Sequence, residues 1–224
     1  MNAPPAGLVI AVDGPAASGK GTLARRLSAH YGLPYLDTGL LYRMVARAML
    51  EAGHDIRDAA AAGEIVSRFD QGAFDEDTLR GREIGEAASV VAAMPAVRSG
   101  LIERQRRFAG QPGGAVLDGR DIGTVICPQA RAKLFVTATP EVRAARRHKD
   151  LAGRGEEATF DNILADIRRR DARDSGRSDA PLKAADDAVI LDTSALTIEE
   201  ALAAAIAIVE RRRSAQPERI LTER

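Results

Sequence analysis

Leu8 to Val12 form a short unbroken apolar run, closed by Asp13-Gly14. Such a run is too short for a buried helix and reads as a strand covered on both faces. The same signature returns at Gly114 to Leu117 before Asp118-Gly119, at Lys133 to Val136 before Thr137, and at Ala188 to Leu191 before Asp192. Helical patterns lie between these runs, at Gly19 to Tyr31, Thr38 to Ala52, Pro95 to Phe108, Pro140 to Leu151, Thr159 to Arg173 and Thr197 to Arg212. Strands alternating with helices specify an α/β fold: a parallel sheet with right-handed crossovers and helices on both faces. Ligands of such sheets sit beyond the carboxyl ends of the strands. Each predicted strand ends in a polar or glycine residue, so that edge is expected to be the functional one.

Two segments depart from this alternation. Gly53 to Ser89 is rich in Ala, Asp and Arg, offers only short helices and reads as an insertion. Gly153 to Ala185 is dense in charge, with Arg168, Arg169, Arg170, Asp171, Arg173, Asp174 and Arg177. The tail from about residue 213 reads as flexible.

The segment Gly14-Pro15-Ala16-Ala17-Ser18-Gly19-Lys20-Gly21-Thr22 follows a predicted strand and opens a predicted helix, the context that identifies a phosphate-binding loop. Glycines at its two ends let backbone N–H groups turn around phosphates, the helix N-terminus adds partial positive charge, and Lys20 reaches the terminal phosphates. Gly21 stands where this loop usually carries Ser or Thr, with Thr22 one place later. That variant resembles the loop of nucleoside monophosphate kinases. It weakens the case for a direct hydroxyl ligand to Mg²⁺ at position 21.

Composition narrows the partners. The chain has 224 residues, with 32 Lys+Arg against 32 Asp+Glu, so no global field exists to hold a nucleic acid or an anionic membrane. Of the 32 cations 28 are Arg, which fits either a solvated surface or planar recognition of phosphates. A single Cys127 excludes an internal disulfide, and His30, His54 and His148 are too scattered for a zinc site. No segment has the length of a membrane span or the pattern of a signal peptide. A cytoplasmic protein is therefore expected, acting as a monomer because no exposed apolar stripe is evident, with neither nucleic acid nor membrane as partner.

Three further groups carry candidate chemistry. Asp118, ending a strand before Gly119-Arg120-Asp121, either holds Mg²⁺ through water or caps a turn. Thr38 either caps the helix it precedes or, with Arg43 one turn on, marks an anion site at that N-terminus. Arg170, Arg173 and Arg177, at i, i+3 and i+7, read as guanidiniums aligned on one helical face. Asp174 stands beside them, placed either to hold them apart or to accept from a sugar hydroxyl.

The phosphate loop, Leu36-Asp37-Thr38-Gly39 with Tyr42-Arg43, Asp118-Gly119-Arg120-Asp121-Ile122-Gly123-Thr124, Arg170 to Arg177, and Ala180-Pro181-Leu182 together resemble the bacterial cytidylate kinases in order and spacing. The resemblance runs from about Val9 to Leu202. It implies a single P-loop kinase domain over 1–224, with a nucleoside monophosphate (NMP) binding insertion at about 53–94 and an Arg-rich lid at about 153–185. It also implies transfer of the γ-phosphoryl group of ATP to CMP or dCMP. Mg²⁺ would be held mainly by phosphates and water, with Thr22 or Asp118 as candidates and no protein metal cluster.

By the same resemblance, Gly14 to Thr22 bind ATP, and Lys20, Arg120, Arg173 and Arg177 act in catalysis. Thr38, Arg43, Arg120 and Arg177 hold the acceptor phosphate. Ser89, Arg98 and Asp121 read cytosine, and Arg170 and Asp174 the ribose. Two alternatives stand beside this reading: a kinase for another small acceptor, and a nucleotide-binding module without turnover.

Overall fold

The computed structural model describes residues 7–68, 76–79 and 81–214. Five strands form one wholly parallel sheet: β1 (Leu8–Asp13), β2 (Tyr35–Asp37), β3 (Gly114–Gly119), β4 (Ala132–Thr137) and β5 (Val189–Asp192), in the order β2-β3-β1-β4-β5. Four of them are the apolar runs read from the sequence. The fifth, β2, is a half-buried edge strand of three residues, too short to announce itself by pattern.

Alternation along β1 divides the core. Ile10 and Val12 face Leu23 and Leu27 of α1 (Lys20–Tyr31) and Ala205 and Ile208 of α8 (Ile198–Ser214). Ala11, with Ala115 and Leu117 of β3, faces Ala109 of α5 (Pro95–Ala109) and the π-helical turn Ile122–Ile126 on the other side. Helices thus cover both faces, as a parallel sheet requires.

The insertion is helical among the described residues. Helices α3 (Ala59–Ser67) and α4 (Arg82–Val91) join α2 (Thr38–Glu51) and α5 around Val45, Met49, Val66, Val91 and Leu101. Residues 69–75 and 80 of the expected insertion lie outside the described residues, as does the expected tail beyond Ser214. Helix α6 (Pro140–Ala152) leads into the expected lid and α7 (Phe160–Ser175) lies within it; the two pack through Ala144, Leu151, Ile163 and Ile167.

The register sets the chemistry in a row. Asp37 pairs with Asp118, Asp13 with Gly119, and Thr137 with Asp192, so the polar strand ends share one edge.

Candidate active site

The phosphate loop leaves β1 at Gly14. Gly14 has φ 150°, and a Cβ there would lie 2.0 Å from the Val136 carbonyl oxygen, so no other residue fits. Gly19 precedes α1 without any side-chain cap, which leaves the first N–H groups of that helix to a ligand. The Ser18 hydroxyl beside them is buried and has no hydrogen-bond partner among the described residues.

Two arginines that the motif reading overlooked hold this loop. Arg143 donates to the Ala138 and Ala16 carbonyls and forks onto Asp171 of α7 at 3.0 and 2.6 Å. Arg146 joins the Ser18 carbonyl to Thr193. Their partners lie far away in sequence, so no local pattern marks them.

Lys20 faces Asp118 at 3.4 Å, and the Tyr35 hydroxyl donates to the same carboxylate at 3.2 Å. Burial pushes the Lys20 ammonium below its ordinary pKa and the Asp118 carboxyl above its own. The glycine at position 21 now has a cause: a Cβ there would meet the Asp118 carboxylate at 2.9 Å. The Thr or Ser usual in this loop would displace the acid.

Asp13 ties the loop to the acceptor side. Its carboxylate accepts from the Ile122 N–H at 2.8 Å and the Gly123 N–H at 2.7 Å, just after Arg120 and Asp121. Burial pushes its pKa up to about 7 from an ordinary 3.8, against the pull of those two bonds. The folded carboxyl therefore holds its proton more tightly than the unfolded one, and between about pH 4 and 7 the native state binds more protons. Its contribution to stability rises as pH falls across that window, by at most about 1.4 kcal/mol per pH unit. We expect Asp13→Asn to flatten this part of the pH–stability curve in urea unfolding; an unchanged slope would place its origin elsewhere.

Asp174 is the hub of the acceptor side. It is 1% exposed, and accepts from Arg120 Nε at 3.0 Å and Arg177 Nη2 at 2.5 Å, with Arg170 Nε at 3.9 Å and the Ser89 hydroxyl at 3.4 Å. Burial opposes its charge, but Arg120, Arg170 and Arg177 outweigh that and hold its pKa below the ordinary value. The cationic side stays in excess. Burial and then Arg120 push Arg170 down to about 9, and the buried Nε atoms of Arg170 and Arg177 make no hydrogen bond among the described residues. Such donors suit a phosphate.

The structure corrects the reading of one aligned helical face. Helix α7 ends at Ser175, where Gly176 caps it, so Arg177 lies beyond the helix and reaches back to Asp174. Arg173 turns instead toward α4 and pairs with Glu86 at 2.6 Å, leaving its buried Nη1 without a partner. Thr38 is no cap either: Asp37 occupies that position, and the Thr38 hydroxyl donates to the Asp118 carbonyl at 2.7 Å. Arg43 donates to the Leu79 carbonyl at 2.7 Å.

Arg98, 1% exposed, lies beside this hub and donates from Nη2 to Asp121 Oδ2 at 2.5 Å and from Nε to Asp179 Oδ2 at 3.1 Å. A cavity of about 580 Å³ runs from the loop backbone at Ala16 to Gly19, past Thr22 and Arg146, to Arg43 and Arg170. That volume suits a nucleotide. No group of three metal-ligating side chains occurs among the described residues, and no helix among them is long and apolar enough to cross a membrane.

The family model "Cytidylate kinase" matches residues 10–211. A cytidylate kinase of Xanthobacter autotrophicus is 65% identical over 207 residues, spanning 92% of this chain and 99% of the relative. One from Methylocella silvestris is 62% identical over 203 residues, 91% of this chain and 94% of that protein. Among solved structures, an uncharacterized protein from Eubacterium ventriosum aligns with TM-score 0.53 at 12% identity, over 92% of this chain and 98% of its own, a likeness of fold alone. With the model matched over most of its length and relatives of this identity along nearly theirs, the chain belongs to the cytidylate kinase family.

Proposed function

We propose that this protein transfers the γ-phosphoryl group of ATP to CMP and dCMP, giving ADP and CDP or dCDP. The observation that carries the reading is a buried Arg98–Asp121 pair beside the Asp174-centred arginines, on the sheet edge that bears the phosphate loop. Cytosine offers an amino donor and ring acceptors, which match a carboxylate and a guanidinium. Uracil would leave such partners unpaired, at about 1–3 kcal/mol each.

The acceptor is a phosphate monoester with a second pKa near 6, so its oxygen is already nucleophilic at neutral pH and needs no general base. That oxygen attacks the γ-phosphorus, the β–γ bond breaks, and ADP leaves. What must be overcome is repulsion between two anions. Thr38, Arg43, Arg120 and Arg177 hold the acceptor phosphate, while Lys20, Arg120, Arg173 and Arg177 neutralise the transferring group. The arginine donors without partners support this assignment. Arg173 has to leave Glu86 to take part, which fits a lid at about 153–185 that closes over both substrates and excludes water.

Mg²⁺ would be held mainly by the ATP phosphates and water, with the Thr22 hydroxyl and Asp118 as the side chains nearest to hand, and would supply neutralising charge. Both Asp174 oxygens already accept from guanidiniums, so no 2′-hydroxyl is needed to satisfy them. This supports use of dCMP. We take the protein to work on free nucleotides as a single chain and a single domain, without nucleic acid.

Coupled ADP release with CMP, dCMP, UMP, AMP and TMP side by side tests the reading. CMP and dCMP are expected to lead, and equal rates with AMP would end it.

A further inference from the structure

Asp179 has been given no role in binding or catalysis, yet it meets the buried Arg98 from 81 positions away in sequence. Its loop is held firmly. The Leu182 N–H donates to the Asp174 carbonyl at 2.8 Å, which returns the chain to the arginine hub. Ala180, buried in that loop, adopts φ 48°, a left-handed conformation that only well-fixed surroundings maintain in a non-glycine residue.

The contact does little for stability. The Asp179 side chain is 57% exposed, and an ion pair with one partner in water contributes little to folding. Its effect lies in which atoms it occupies. A guanidinium and a carboxylate left alone prefer two parallel bonds, for example Nε–H and Nη2–H to the two carboxylate oxygens. Here Asp179 takes Nε–H, and Asp121 accepts Nη2–H on Oδ2 only. Among the described residues no donor meets Oδ1 of Asp121, which stays available as an acceptor.

We propose that Asp179 is a specificity-determining positioning residue: by occupying Arg98 Nε, it keeps the Arg98–Asp121 pair single-stranded and reserves Asp121 Oδ1 for the exocyclic amino group of the acceptor base. This rests on the cytidylate reading above. Without Asp179, Arg98 closes a two-bond fork on Asp121, both oxygens are engaged, and the amino group of cytosine loses its acceptor. Uracil, which has a carbonyl there, loses nothing.

The test compares wild-type protein, Asp179→Ala and Asp179→Asn by kcat/KM for CMP and for UMP, KM for ATP, and thermal midpoint. Asp179→Ala is expected to lower the CMP-to-UMP ratio about tenfold, with KM for ATP within about twofold and the midpoint nearly unchanged. Asp179→Asn, whose amide oxygen still accepts from Nε, should keep the wild-type ratio. An unchanged ratio in Asp179→Ala overturns the proposal. So does a lowered ratio in Asp179→Asn, or a loss shared equally with ATP. Wild-type protein that fails to phosphorylate CMP would refute the cytidylate reading instead.

Discussion

Lys20→Met is expected to lower kcat by about 10³ while CMP binding survives. The ammonium is the one lysine charge of the phosphate loop, and it sits in a buried site where Asp118 lies 3.4 Å away. Buried charge aimed at a transferring phosphoryl group is worth far more than the same charge in water. A loss of about 10³ corresponds to roughly 4 kcal/mol of transition-state stabilisation. Methionine keeps the length and apolar contacts of the stem and removes only the charge, leaving Asp118 with Tyr35 as its hydrogen-bond donor. Steady-state kinetics with calorimetric titration of CMP separates the two effects. Activity within tenfold of wild type would remove Lys20 from the catalytic set.

Asp174→Ala has the largest expected effect on folding. Taking away this buried carboxylate leaves the partly buried Arg120, Arg170 and Arg177 facing one another without their common anion. Breaking a buried ion pair by deleting one partner costs about 3–5 kcal/mol. For a chain of this size that lowers the thermal midpoint by about 10 °C. Because the defect is excess positive charge, a phosphate monoester should repair part of it. CMP is expected to raise the midpoint of the variant more than that of wild type. A variant that melts within about 2 °C of wild type, or that gains nothing extra from CMP, would show that the carboxylate is not the counter-charge of this cluster.

These two side chains were visible in the sequence because they sit in local motifs: Lys20 between the strand and helix of a glycine-rich loop, Asp174 inside an arginine run. The strands β1, β3, β4 and β5 were visible for the same reason, each being a continuous apolar run. Strand β2 was not, because three half-buried residues after Pro34 make no period. The helical face imagined for Arg170, Arg173 and Arg177 failed at Gly176, which caps α7 at Ser175, two residues short of Arg177. The roles of Asp13, Arg143 and Asp179 escaped notice because the side chains and loop groups they tie together, Ile122 for Asp13, Ala16 and Asp171 for Arg143 and Arg98 for Asp179, lie between 28 and 127 positions away in the chain. Those contacts are created by the sheet order, and no window of local sequence contains them.

Arg98 is among the largest of the fully buried side chains, packed beside Asp121 at the base of the acceptor site. The residue that would read the base is thus also a structural member of the interior, where an unpaired charge is severely penalised. Selection cannot adjust it freely: a change there threatens the fold before it alters the choice of nucleotide. Evolutionary drift in acceptor preference is therefore channelled toward neighbours at the rim, where a half-exposed side chain such as Asp179 can change at little cost to folding.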